Sequence, residues 1–230
     1  MRDSSGFLRI GGVAVLLGLA IHIVVNVFVK RFPDPTASAI ELTAYLAAEA
    51  DSWSFVHGSR YVAFACLVLF AAALYVRVSS GDVASSGGWG IVGIVGSALH
   101  VGGGMVGNSI EILAFLDFDR LSSQSDNFWL LFHLSRTVFT AEVAAWSIFI
   151  GGFSIAGWVS GVFPRWLSIL GWAGSLLALI SAVLVVSILR NGTPAFLMPL
   201  TEAVCLLWFA SAGIFLIREN GNSSGYAETG

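Results

Sequence analysis

Six apolar stretches, each long enough to cross a bilayer, occupy most of this 230-residue chain. They run over 7–29, 54–76, 89–116, 128–159, 166–189 and 194–217. A hydrocarbon core about 30 Å thick needs roughly 20 apolar residues per helix, and each stretch supplies them. Backbone groups in lipid must bond within their own segment or around a closed barrel. No run alternates with the two-residue period of a barrel strand, so the stretches read as helices. Charged residues make up 11% of the chain, against about 25% in soluble domains, too few to coat a water-facing surface. The expected fold is therefore all-α: one polytopic transmembrane bundle of six helices over 1–218. A polar tail, 219–230, reads as disordered. Net charge is −3 with no basic block, so nucleic acid is not an expected partner and the lipid bilayer is.

The first stretch is longer than a signal-peptide apolar region and is followed by Lys30 and Arg31, so it reads as a retained helix. Six spans place both termini on one side. Arg2 and Arg9 at the start of the first helix favour the cytoplasm. The connector 30–53 is the only long one. Ser38 and Glu41 have capping-box spacing, and Ala39, Leu42, Leu46, Ala50 and Trp53 recur at helical intervals. A short amphipathic interfacial helix is expected there, packed as a cover on the bundle. The fourth stretch is long for one span, and Gly151-Gly152 is the expected bend. Gly96, Gly103, Gly104 and Gly107 on the third read as helix-packing positions. Cys66 and Cys205 lie mid-span and read as small buried hydrophobes.

Polar side chains within the spans carry the functional information. At about 1.5 Å of rise per residue, nearly all of them fall in the half of the bilayer away from the termini. Arg60, Arg136 and Glu202 are expected to meet there as the ionic floor of a pocket, with His22, Asn26, His57, His100, His133 and Glu111 around it. An Arg or Glu facing lipid at the bilayer centre costs on the order of 2.5–3.5 kcal/mol, so these groups should turn inward and find partners. Two arginines against Glu202 leave a positive surplus suited to an anionic ligand or lipid headgroup, unless Glu111 turns in to balance it. Glu142 counts out to the other half, nine residues from His133 and nearly opposite it on the helix. It is left outside the cluster.

Four histidines on four helices also raise haem or metal chemistry. His22 facing His100 or His133 would suit a bis-histidine haem. A metal would need three or four of His22, His57, His100 and His133 to converge with a carboxylate such as Glu202. No HExxH, GxSxG, Walker or GxGxxG pattern is present. The sequence thus assigns no catalytic residue and no cofactor. A third possibility is a structural or accessory subunit, its polar groups locking helices together.

The C-terminal part carries a recognisable pattern. Phe163-Pro164-Arg165-Trp166-Leu167-Ser168 opens the fifth helix, and Met198-Pro199-Leu200-Thr201-Glu202 precedes Trp208 in the sixth. This resembles an uncharacterised family of bacterial multi-pass membrane proteins, a domain of unknown function with a PRWLS segment. Its last helix bears a Glu six residues before a Trp. The resemblance implies a six-helix bundle in a bacterial plasma membrane and a role for Glu202. It implies no activity.

Overall fold

The computed structural model of the chain describes residues 4–28, 38–48, 50–80, 84–116, 125–190 and 196–219. Helices are the only regular elements among them: α1 Ser4–Phe28, α2 Ala39–Ala48, α3 Ala50–Ser79, α4 Ala84–Leu116, α5 Ser125–Ala141, α6 Val143–Val159, α7 Arg165–Val183, α8 Val185–Leu189 and α9 Leu197–Glu219. Six units are long and apolar enough to span a membrane, one for each expected stretch: α1, α3, α4, α5 with α6, α7 and α9. The chain is an all-α multi-pass membrane protein. The expected tail beyond Glu219 lies outside the described residues.

The spans close a ring in chain order. α1 packs on α3, α3 on α4, α4 on α6, α6 on α7, α7 on α9, and α9 returns to α1. Sequential spans are neighbours, α1 and α3 included despite the long connector between them. Lipid tails are as apolar as leucine, so close backbone approach rather than hydrophobic expulsion holds such helices together. The α4–α6 crossing shows this. A Cβ on Gly96 would lie 2.6 Å from the Cα of Phe149, and one on Gly152 would lie 2.8 Å from the Cα of Gly93.

That packing also keeps the expected bend from forming at the glycine pair. Gly151 and Gly152 lie inside the unbroken α6, because Gly152 is seated against α4 rather than left to flex. The fourth span is interrupted instead at Glu142, whose carbonyl accepts from both Ala145 and Trp146.

The ring is filled in two places. In the half nearer the termini, Phe70, Phe149, Phe153, Trp208 and Phe209 form an aromatic core, with Phe70 6.4 Å from Phe149 and 6.3 Å from Trp208 in edge-on contact. At the opposite end Val25, Leu42, Trp53, Val56, Ala114 and Phe132 make a second cluster. Leu42 enters it from α2, which packs on α5.

α2 is shorter than the expected amphipathic stretch. Trp53 belongs to the first turn of α3, while residues 30–37 and 49 lie outside the described residues. The capping box is formed: Glu41 N donates to Ser38 Oγ at 3.3 Å, and Ser38 N donates to Glu41 Oε2 at 2.9 Å. The backbone N–H of Ser38, and then its hydroxyl, hold the Glu41 carboxyl below its ordinary range. Leu42 is buried and Ile40 is 77% exposed, so α2 covers the bundle with one face only. Trp89, Trp129, Trp158 and Trp166 stand exposed near span ends, as interfacial anchors do.

Candidate functional site

Between the aromatic core and the α2-capped cluster the ring holds its polar groups, and they fall into two linked sets. Glu111 is the hub of the first. It lies buried on α4, and its Oε2 receives Arg60 Nη1 from α3 at 2.5 Å. Ser135 Oγ of α5 donates to its Oε1 at 3.0 Å. His57 Nδ1 is 3.7 Å from the same carboxylate and 2.9 Å from Asn108 Oδ1. Asn108 Nδ2 donates in turn to the His57 carbonyl at 3.3 Å. The Asn108 carbonyl oxygen can only accept, so His57 carries its proton on Nδ1. The Arg60 guanidinium lies over the Phe139 ring at 4.8 Å, and Trp53 tilts against His57 at 5.6 Å. Asn108, Glu111 and His57 share α3–α4 contacts because His57 and Arg60 stand one turn apart, as do Asn108 and Glu111.

The second set lines a cavity of about 300 Å³. His22 on α1 bonds Glu202 on α9, Nε2 to Oε1, at 2.8 Å. His100 on α4 receives the indole N–H of Trp146 on α6 at Nδ1, 2.8 Å away. A nitrogen that accepts an N–H is unprotonated, so this imidazole is neutral. Glu142, at the α5–α6 break, brings Oε2 to 3.6 Å from His100 Nδ1. That oxygen is buried and has no hydrogen-bond partner among the described residues. Space for it comes from α4: a Cβ on Gly104 would lie 3.1 Å from Glu142 Oε2. Arg60 reaches this cavity too, and so joins the two sets. Phe64, Phe139 and Trp146 supply aromatic wall. A smaller pocket of about 90 Å³ runs on toward the aromatic core past His22, His100 and Trp146.

Of the residues singled out in the sequence, Arg60, Glu202, His22 and His100 line the one cavity, with Glu111 and His57 directly behind Arg60. Arg136 is not in its lining. It sits on α5 beside Ser135, within electrostatic reach of Glu111. The expected floor of Arg60, Arg136 and Glu202 is therefore divided, with Arg136 on the Glu111 side. His133 turns the other way and stacks on Trp129 at 4.1 Å. The Asn26 side chain lies outside the described residues.

Glu142 is the residue that sequence reasoning left out. Its place opposite His133 is as expected, but the inward face is the one carrying Ser135, Phe139, Glu142 and Trp146, not His133. That stripe has helical spacing and was the available signal. The face was misjudged because helical spacing does not say which side of a span looks inward. With Glu111 and Glu142 both inside, three interior acidic side chains face two arginines, so the expected positive surplus does not form.

Among the described residues no three His, Cys, Asp or Glu side chains are grouped to hold a metal ion. His57 belongs to the Glu111 set and His133 to Trp129, so the four histidines do not converge. Cys66 and Cys205 are buried free thiols. No protein-family model, curated protein or solved structure matches this chain, so the likeness of its last two spans to the PRWLS family rests on those residues alone.

Proposed function

We propose that this multi-pass membrane protein binds a small molecule or lipid headgroup in the cavity lined by His22, Arg60, His100, Glu142 and Glu202. By the terminal arginines and the PRWLS resemblance, the membrane is a bacterial plasma membrane and the cavity lies in its outer half. The observation that carries this reading is the cavity itself: about 300 Å³ of space beside several ionisable side chains within the bundle. Polar groups inside a membrane are costly and mark functional positions by default. A chain that needed them only to lock helices would close around them, as it does around Glu111, rather than leave a void in which Glu142 Oε2 has no partner among the described residues. Small-molecule sites combine such an apolar, aromatic wall with a few converging polar groups.

Thermal unfolding of the purified protein tests the reading, using phenethyl alcohol and its ammonium and carboxylate counterparts, phenethylammonium and 3-phenylpropionate. At least one of the three raises Tm in the parent protein, and none does so in Ala63→Phe, which fills the cavity. Absence of any shift in the parent, or equal shifts in both proteins, would refute it.

A further inference from the structure

The cavity wall has an electrostatic sign. Of its charged groups, Arg60 is already engaged by Glu111 at 2.5 Å and covered by the Phe139 ring. Among the described residues Glu202 bonds the His22 imidazole alone, and Glu142 faces the neutral His100 with Oε2 unpartnered. Two carboxylates on different helices thus share one cavity, and within 4.0 Å neither has an arginine or lysine among the described residues. A carboxyl group without a counter-charge in a low-dielectric interior keeps its proton, and a cation bound beside it lets it ionise and form a charge-assisted contact. The aromatic wall favours the same sign, because ring faces attract cations.

From this geometry we infer that the cavity takes an organic cation: an ammonium group against Glu142, with Glu202 as second carboxylate. A small apolar body would lie along Phe64, Phe139 and Trp146. The inference rests on the cavity being a ligand site and specifies what that ligand is. An inorganic cation is disfavoured, since no three ligating side chains are grouped among the described residues. The Arg60–Glu111 pair keeps the one guanidinium of the wall from opposing the ligand's charge. An ammonium can arrive on a free amine or on the aminoethyl headgroup of phosphatidylethanolamine.

The test compares phenethylammonium, phenethyl alcohol and 3-phenylpropionate on the full-length protein. Phenethylammonium raises Tm at concentrations about tenfold or more below those needed for the alcohol, as expected for one charge-assisted hydrogen bond. The carboxylate gives no shift. Glu142→Gln removes the preference for the ammonium while leaving the response to the alcohol. Should that variant not fold, Glu202→Gln serves in its place, its parent side chain being 41% exposed. A response to the alcohol or carboxylate with no advantage for the ammonium overturns the cation assignment and leaves the ligand site standing. An ammonium advantage that survives in the Gln variant also overturns it. No response to any probe removes both readings.

Nanodiscs separate the two sources. Higher Tm with phosphatidylethanolamine than with phosphatidylglycerol alone, lost in the Gln variant, assigns the lipid headgroup. Equal Tm in both lipids, with the phenethylammonium shift intact, assigns a free amine.

Discussion

Replacing Arg60 by leucine should destabilise the bundle far more than replacing it together with its partner. Arg60 Nη1 lies 2.5 Å from Glu111 Oε2, and the Arg60 and Glu111 side chains are 20% and 2% exposed. At an effective dielectric of about 20, that separation corresponds to about 7 kcal/mol of gross attraction. Desolvation of both groups consumes most of it, so the intact pair contributes little net stability. Removing only the arginine is different. Glu111 then keeps Ser135 Oγ at 3.0 Å, His57 at 3.7 Å and the field of Arg136 but loses the guanidinium bonded to it. Such an uncompensated buried charge costs about 3–5 kcal/mol. In Arg60→Leu/Glu111→Gln the amide keeps the Ser135 contact and carries no charge, so the double variant should recover about 2–3 kcal/mol of that loss. Equilibrium unfolding in mixed micelles, followed by tryptophan fluorescence and completed as a double-mutant cycle, measures the difference. A double variant no more stable than Arg60→Leu would refute the claim that Glu111 depends on Arg60.

Two further outcomes follow from local geometry. Gly96→Ala should cost about 1–3 kcal/mol, because its Cβ meets the backbone of Phe149, which has no rotamer with which to yield. Gly102→Ala, with nothing within 4 Å, should stay within about 0.5 kcal/mol of the parent, and equal losses would sink the packing account of the α4–α6 crossing. At the cover, Ser38→Ala should speed amide exchange in the first turn of α2. In the parent, a depressed Glu41 carboxyl gives stability that is complete above its ordinary value of 4.5 and fades as pH falls through its lowered one. Protection of the α2 amides, corrected for intrinsic exchange, should fall over that acid range, and Glu41→Gln should lose the dependence; identical pH profiles would count against the cap.

How far the site could be read from residues alone differs with the kind of inference. The Ser38–Glu41 cap and the i, i+4 sharing of a face are local rules, and both hold at a single helix. Glu111 turning in toward Arg60 was one of two arrangements that charge balance allowed, and in the structure Ser135 bonds the carboxylate while His57, held by Asn108, stands 3.7 Å from it. Glu142 and His133 were interchanged, the one inside and the other outside, because helical periodicity fixes which residues share a face but not which face looks inward. Arg136 was grouped with Glu202 by depth alone, and depth says nothing about where around a ring a side chain stands.

Hydropathy and span length sufficed for the all-α bundle of six crossings, since a backbone in lipid has almost no other way to satisfy its own hydrogen bonds. The same rule made it certain that buried charges needed partners, without saying which. Closing the ring from α9 back to α1 brought Glu202 to His22, and packing the fourth span on α4 brought Glu142 beside His100. Those are contacts between residues far apart in the chain. They depend on the rotation of each helix about its axis, a quantity set by how glycines, aromatics and ion pairs on neighbouring helices fit together rather than by the order of residues along any one of them.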